Sequence, residues 1–387
     1  MAIYLDYNAT TPLDGRVLDA MLPFLREQFG NASSGHQSGR IARAAVDVAR
    51  EQVAALVNAH PSQVVFTSGG TEANNLALKG RAARLISGYI VMSGVEHSSV
   101  RTPAIALQKH GWMLDEIGVD ADGLLVSENL QAIFSSMPAD SAKILAVMLA
   151  NNETGIIHDM APIEALAREF GATLLVDAVQ AAGKIPVDFT GSGAQFMSLS
   201  AHKIYGPKGA GALIVDKAVD MEPLLHGGGH EKARRAGTEN VAAIVGFGKA
   251  AELALSELST RHAQTQTLHH YLETRLRSEL PQVCIFGQQA KRLPNTSFFA
   301  LPGLDGETLL MNLDQAGLAV SSGSACGTGD VEPSHVLLAM GVSPERARGA
   351  IRVSLGKESR RSEIDSFIGC LKQQVRALQS FAAVAYA

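Results

Sequence analysis

The chain has 387 residues, of which 46% are apolar and 18% charged, and a formal net charge of −5. This length gives room for two or more domains with substantial cores, and the composition is that of a soluble globular enzyme. The slightly acidic balance, with no lysine- or arginine-rich run, argues against a general nucleic-acid binder. Residues 1–11 lack a basic stretch followed by an apolar core, so no signal peptide is expected. The longest tempting apolar run, 144–150, is far too short to span a bilayer. Cys284, Cys326 and Cys370 are widely spaced. That pattern fits neither a disulfide framework nor a zinc site, so the expectation is a reducing cytosol, free thiols and no metal.

No internal repeat or low-complexity linker interrupts the chain. Strand-like and helix-like runs alternate, which predicts an α/β fold with a mainly parallel sheet. A short extended piece at 3–6 ends in Asn8-Ala9-Thr10-Thr11-Pro12. A helix is expected over 17–29, a loop over 30–36, and a second helix over 39–57 whose apolar stripe is Ile41, Ala45, Val48, Val53 and Leu56. A strand at 63–67 turns through Ser68-Gly69-Gly70-Thr71-Glu72 into a helix at 73–85. The strand at 89–93 precedes Glu96-His97-Ser98-Ser99, a helix at 100–110 and a return towards the sheet at 112–119. A buried strand at 143–149 runs into Asn151-Asn152-Glu153-Thr154-Gly155, a helix follows at 163–170, and the strand 173–176 ends at Asp177-Ala178-Val179-Gln180. The strand 195–200 leads into Ala201-His202-Lys203, a glycine-rich segment and another strand at 212–215. Residues 241–280 read as one long helical stretch, broken near 256–260, which connects to a second domain. That domain holds segments at 282–286, 295–300 and 320–322, helices at 306–316, 333–340 and 362–381, and a strand at 351–354.

Several residues fall where chemistry is possible. A lysine at the end of a buried strand, followed by small residues that permit close approach, suits an amine that reaches a cofactor. Once desolvated, Lys203 can lose its proton and form a Schiff base, the way pyridoxal phosphate (PLP) is held. The competing reading is a surface turn with a solvated lysine. The glycine turn at 68–72 offers backbone N–H groups at a helix N-terminus, either as an anion site or as a plain structural turn. No P-loop and no G-x-G-x-x-G pattern is present, so nucleoside triphosphates and dinucleotides lose support. His97 follows a parallel strand, where open α/β sheets bind ligands, or else caps the next helix. Asp177, a carboxylate directly after an apolar strand, needs a partner. A protonated pyridine nitrogen, a helix cap and an arginine all qualify. The glycine loop at 226–231, with the basic and hydroxyl groups that follow through Thr238, suits a phosphate. Cys326 lies among glycines and serines. It is either an exposed, mobile thiol nucleophile or an incidental surface cysteine.

Taken in order, these segments resemble the cysteine desulfurases of the NifS/IscS kind, in the class V branch of the fold-type I PLP enzymes. The likeness runs nearly end to end. Its motifs are Asp6-Tyr7-Asn8-Ala9-Thr10-Thr11, Thr67 to Glu72, Glu96-His97, Asn151 to Gly155, Asp177 to Gln180, Ser200-Ala201-His202-Lys203, Arg235-Ala236-Gly237-Thr238, Ser321 to Cys326 and Ile351-Arg352-Val353-Ser354-Leu355-Gly356. The long segment around Cys326 is similar to the group I enzymes. Two departures stand out: Tyr7, where many relatives have Asn, and Gly327-Thr328-Gly329-Asp330 after the cysteine.

The resemblance implies a large domain over 15–255 with a mainly parallel seven-stranded sheet. It implies a smaller α/β domain from 1–14 and 256–387 that carries the cysteine loop. It makes Lys203 the Schiff-base lysine, His97 the residue stacked on the pyridine ring, Asp177 the partner of its nitrogen and Gln180 a donor to its hydroxyl oxygen. Gly70, Thr71, Ser200 and His202 would hold the phosphate, with Thr238 arriving from the partner of a homodimer. Arg352 would grip the substrate carboxylate with Asn152 beside it, and Cys326 would take sulfur from L-cysteine as a persulfide, leaving L-alanine. The implied partners are sulfur-acceptor or scaffold proteins in the cytoplasm, with no direct nucleic acid and no membrane. A class V aminotransferase, a selenocysteine lyase and a catalytically silent sulfur scaffold are the competing readings.

Overall fold

The computed structural model describes residues 3–322 and 332–385, with side chains of the last helix as far as 378. Cys326 and the departure at 327–330 lie outside the described residues. The chain opens with β1 (Ile3–Tyr4), α1 (Gly15–Arg26) and α2 (Gln37–Leu56). There follow β2 (Val64–Thr67), α3 (Gly70–Ala82), β3 (Gly88–Ser93), α4 (Ser98–Gln108), β4 (Met113–Ile117) and α5 (Ser127–Ser136). The alternation continues through β5 (Ala142–Met148), α6 (Met160–Glu169), β6 (Thr173–Asp177), β7 (Phe196–Ser200) and β8 (Gly211–Val215). Two long helices, α7 (Val241–Ser256) and α8 (Leu258–Glu279), break where the sequence predicted. The remainder is β9 (Cys284–Ile285), β10 (Thr296–Ala300), α9 (Gly306–Gln315), β11 (Leu318–Ala319), β12 (Ser321–Ser322), α10 (His335–Ala339), α11 (Pro344–Arg348), β13 (Ala350–Ser354) and α12 (Arg361–Ala385).

The main sheet has seven strands in the order β2-β8-β7-β6-β5-β3-β4. β4, β3, β5, β6 and β7 run parallel, while β8 is antiparallel to both of its neighbours. Such a sheet is covered on both faces, which is why its strands read as continuous apolar runs. Ile90 and Met92 of β3 enter one core with Leu76 and Trp112, while Val91 enters the other with Phe134 and Phe247. The helix expected at 39–57 is present, and Val53 and Leu56 of its stripe are buried, but the rest of the stripe is displaced. Gly39, Ala42, Val46, Ala49 and Ala54 are the other buried positions, whereas Ile41 and Val48 are 40% and 53% exposed. Small residues won the inner face because α7 lies very close: a Cβ on Gly248 would fall 2.6 Å from the Ala49 Cα.

A second, antiparallel sheet, β12-β13-β10-β9, carries another core with Leu5, Leu276, Phe299, Ile351 and Phe367. The N-terminus belongs to this part, since β1 pairs with β11. A further cluster, with Val95, Met148, Phe298 and Leu337, draws on both parts. The sequence reading had no helix at α5 or α11. Each is short, and α5 buries only Leu130 and Phe134, too few positions to set a period.

Candidate active site

The parallel strands β3, β5, β6 and β7 end on one side of the sheet, the side where open α/β sheets leave a crevice. A cavity of about 380 Å³ lies there. Lining it are Gly70, Thr71, His97, Asn152, Asp177, Gln180, Ser200, His202, Lys203 and Arg352, all expected from the sequence. Asn8 and Ala9 complete one wall. Thr238 does not line this cavity and is exposed on its own chain.

Lys203 closes a short helical turn directly after β7. Its Nζ donates to the carbonyl oxygens of Asn8 at 2.5 Å and Ala9 at 2.9 Å. Burial, and then the nearby Arg352 charge, bring its pKa down to about 8, against the opposing pull of Asp6 and Asp177. The solvated-turn reading is therefore set aside.

Asp177 has no arginine partner among the described residues. Its Oδ1 accepts from the Val179 N–H at 2.9 Å and its Oδ2 from Asn74 Nδ2 at 2.8 Å. Both donors are neutral, so neither takes the place of a cation in the cavity as its partner. The same Asn74 amide donates to Ser99 Oγ, which sits 2.8 Å from His97 Nδ1. His97 caps α4 by accepting from the Ser99 N–H at 3.1 Å, and it also lines the cavity. Burial lowers its pKa and outweighs the Asp177 charge.

At the other end Arg352, on β13, donates to Asp6 Oδ1 at 2.7 Å and to the Asn152 carbonyl at 3.0 Å. Its buried Nε has no hydrogen-bond partner among the described residues. The β12 residue Ser321 pairs with Arg352, so the strand that leads towards Cys326 runs beside this guanidinium.

The donor set fits PLP. Gly70 opens α3, and a Cβ there would lie 2.8 Å from Val179 Cγ2, so only glycine keeps that backbone open. The buried Ser200 Oγ lies in the same region without a hydrogen-bond partner among the described residues, and His202, with its pKa lowered to about 4 mainly by burial, is a neutral donor or acceptor there. Hydroxyls and helix N–H groups of this kind bind phosphate. Sequence reasoning missed Asn74, Lys184 and the wiring of Asn8. Lys184 Nζ donates to Gln180 Oε1 at 2.7 Å, four residues away, and to Asn8 Oδ1 at 2.8 Å, a contact that spans too much sequence for any local motif to announce.

The aminotransferase class-V family model matches residues 3–367. The chain belongs to the aminotransferase class-V family. Family members depend on PLP, the cofactor this cavity suits. Among this chain's relatives, the cysteine desulfurase IscS of Dictyoglomus turgidum is 40% identical over 380 residues, covering 98% of this chain and 95% of its own. A NifS-like protein from Rickettsia africae superposes with a TM-score of 0.88 at 34% identity, over 96% of this chain and 99% of that one. A structure of SspA in complex with cysteine gives a TM-score of 0.80 at 31% identity, covering 92% of this chain and 99% of that one. Within this class-V chain no described helix is long and apolar enough to cross a membrane, and the described residues hold no cluster suited to a metal ion.

Proposed function

We propose that this chain is a PLP-dependent cysteine desulfurase that converts L-cysteine to L-alanine and passes the sulfur, as a persulfide on Cys326, to an acceptor protein. The observation that carries the reading is the cavity that Lys203, Asp177, His97 and Arg352 line together. The bound cofactor supplies an electron sink for charge developing at the substrate Cα. The chain supplies the rest. Arg352, with its unpartnered Nε, grips the substrate carboxylate. Asp177 holds positive charge on the ring nitrogen, and His97, kept neutral by burial, lies over the site. Lys203, with a pKa near 8, is neutral often enough to take a proton from the Cα. The Cys326 thiolate then forms a bond to the substrate sulfur as the carbon–sulfur bond breaks, and the electron pair stays on carbon, which takes a proton to give alanine.

The same reading places 15–255 in a PLP-binding domain and 1–14 with 256–387 in a smaller domain, and makes the enzyme a cytoplasmic homodimer. Thr238, exposed and away from its own cavity, is free to serve the partner's phosphate site. Leu18 and Leu25 on α1 and Val48 on α2 expose 41%, 60% and 53% of their surface, apolar area that a second subunit would cover.

The test is turnover of L-cysteine with a reductant and no keto acid. Sulfide and alanine should appear in equal amounts, whereas an aminotransferase would make neither without an acceptor. Cys326→Ala should keep the yellow colour and still bind cysteine, yet release almost no sulfide. Normal sulfide release by that variant would remove Cys326 from the mechanism.

A further inference from the structure

The mechanism leaves one buried amine without a task. Lys184 stands four residues after Gln180, in the turns that follow β6. Its Nζ is enclosed by protein and makes the two hydrogen bonds to Gln180 Oε1 and Asn8 Oδ1. It lies behind Lys203, on a small cavity of about 30 Å³ whose titratable lining, besides Lys184, is Tyr7, Lys203, Tyr205, Arg261, His262 and Lys357. None of these is a carboxylate, and Lys184 makes no salt bridge among the described residues. Burial, then the Lys203 and Arg352 charges, push its pKa well below the ordinary lysine value. Enclosure without a carboxylate partner disfavours the charged form of this amine, the direction expected for an unpaired lysine in such a place.

We propose that Lys184 is a positioning residue that fixes the Gln180 amide, so that its Nε2, and not its Oε1, faces the cofactor's ring oxygen. The wiring admits one arrangement. The Asn8 carbonyl can only accept, and Gln180 Nε2 donates to it at 2.9 Å. That leaves Oε1 on the far side, where the Lys184 N–H takes it. The second N–H of the Gln180 amide is then available to the cavity. Asn8 is locked in turn, because its Oδ1 accepts from Lys184 and from Asn295 Nδ2 at 3.1 Å, while its Nδ2 donates to Thr296 Oγ1 at 2.9 Å. Its carbonyl also receives the Lys203 amine, so Lys184 sets the frame that both Gln180 and Lys203 lean on. A donor held against an oxygen that carries negative charge weakens that oxygen's hold on a proton.

This inference rests on the PLP reading, and the experiment separates the two. Reconstituted wild-type protein is titrated with pH and its visible absorbance followed. A wild-type chain that stays colourless refutes the reading, and the inference with it. In Lys184→Met, which keeps length and apolar bulk, the Gln180 amide retains its bond to the Asn8 carbonyl but nothing pins its oxygen away from the cavity. The pH at which the visible band changes should then rise by about one unit, the size of one charge-assisted hydrogen bond. Cofactor dissociation should weaken about tenfold on the same basis. In a Gln180→Leu background the Lys184→Met change should add nothing further, because there is no amide left to hold. A wild-type titration in Lys184→Met, or a full second shift in the double variant, overturns the proposal. Should Lys184→Met not fold, as judged by its melting curve, Lys184→Ala asks the same question, with the same two outcomes expected.

Discussion

Lys203 shows at the scale of one residue how position becomes chemistry. An exposed lysine near pKa 10.4 is neutral in roughly one molecule in a few thousand at pH 7. With its pKa brought down to about 8 by burial and by Arg352, it is neutral in about one in ten. Only the neutral amine attacks a carbonyl. In cofactor-free protein, the rate at which colour appears on adding PLP should therefore climb with pH through about 8 and level off above 9. A rate still climbing tenfold per unit from 9 to 10 would show that the amine is not perturbed. The lysine, the aspartate and the arginine were legible in the sequence because each ends a strand or sits in an ordered motif. Asn74 and Lys184 were not. An asparagine inside α3 and a lysine in a turn carry no local signal, and their roles exist only because Asp177 and Asn8 come to meet them.

At the scale of an element, α2 shows where periodicity misleads. Ile41 and Val48 are the larger apolar side chains and invite assignment to the core. The helix keeps Val53 and Leu56 inside but turns Ala42, Val46 and Ala49 inward in place of Ile41 and Val48, since at Ala49 the approach of α7 at Gly248 leaves space for little more than a methyl group. A period of 3.6 residues allows both faces, and only the partner helix chooses between them. Ala49→Leu should overpack this crossing by about 1–3 kcal/mol and lower the melting temperature by a few degrees. Unchanged melting would mean that α2 does not pack on α7 through this face. The strands of the main sheet were easier to read, because a parallel sheet covered on both sides buries nearly every residue and leaves an uninterrupted apolar run.

At the scale of the whole molecule, the two cores meet over buried acids whose charge state no sequence pattern announces. Glu96 is fully buried next to His97. Its Oε1 accepts from Ser93 Oγ at 2.5 Å and from the Met148 N–H at 2.7 Å, and its Oε2 has no partner among the described residues. From the second part of the chain, a ring nitrogen of His335 lies 2.9 Å from the Glu96 carbonyl oxygen. Ser334, beside it, donates to Glu153. Burial raises Glu96 to about 8 and Glu153 to about 7, so both carry protons at neutral pH or close to it. A carboxyl that binds its proton more tightly folded than unfolded costs stability as pH rises from its unfolded pKa, about 4.3, towards its folded one. Glu96→Gln cannot ionise and keeps an acceptor for Ser93 and Met148. The stability of wild type minus that of Glu96→Gln should therefore fall as pH goes from 5 to 8, by up to about 1.4 kcal/mol per unit. Terms shared by both proteins, including the lysines of the site, cancel in that difference. Denaturant unfolding of cofactor-loaded protein at pH 5, 6.5 and 8 measures it. A flat difference would mean that Glu96 is ionised throughout and that the joint between the two cores holds a buried charge.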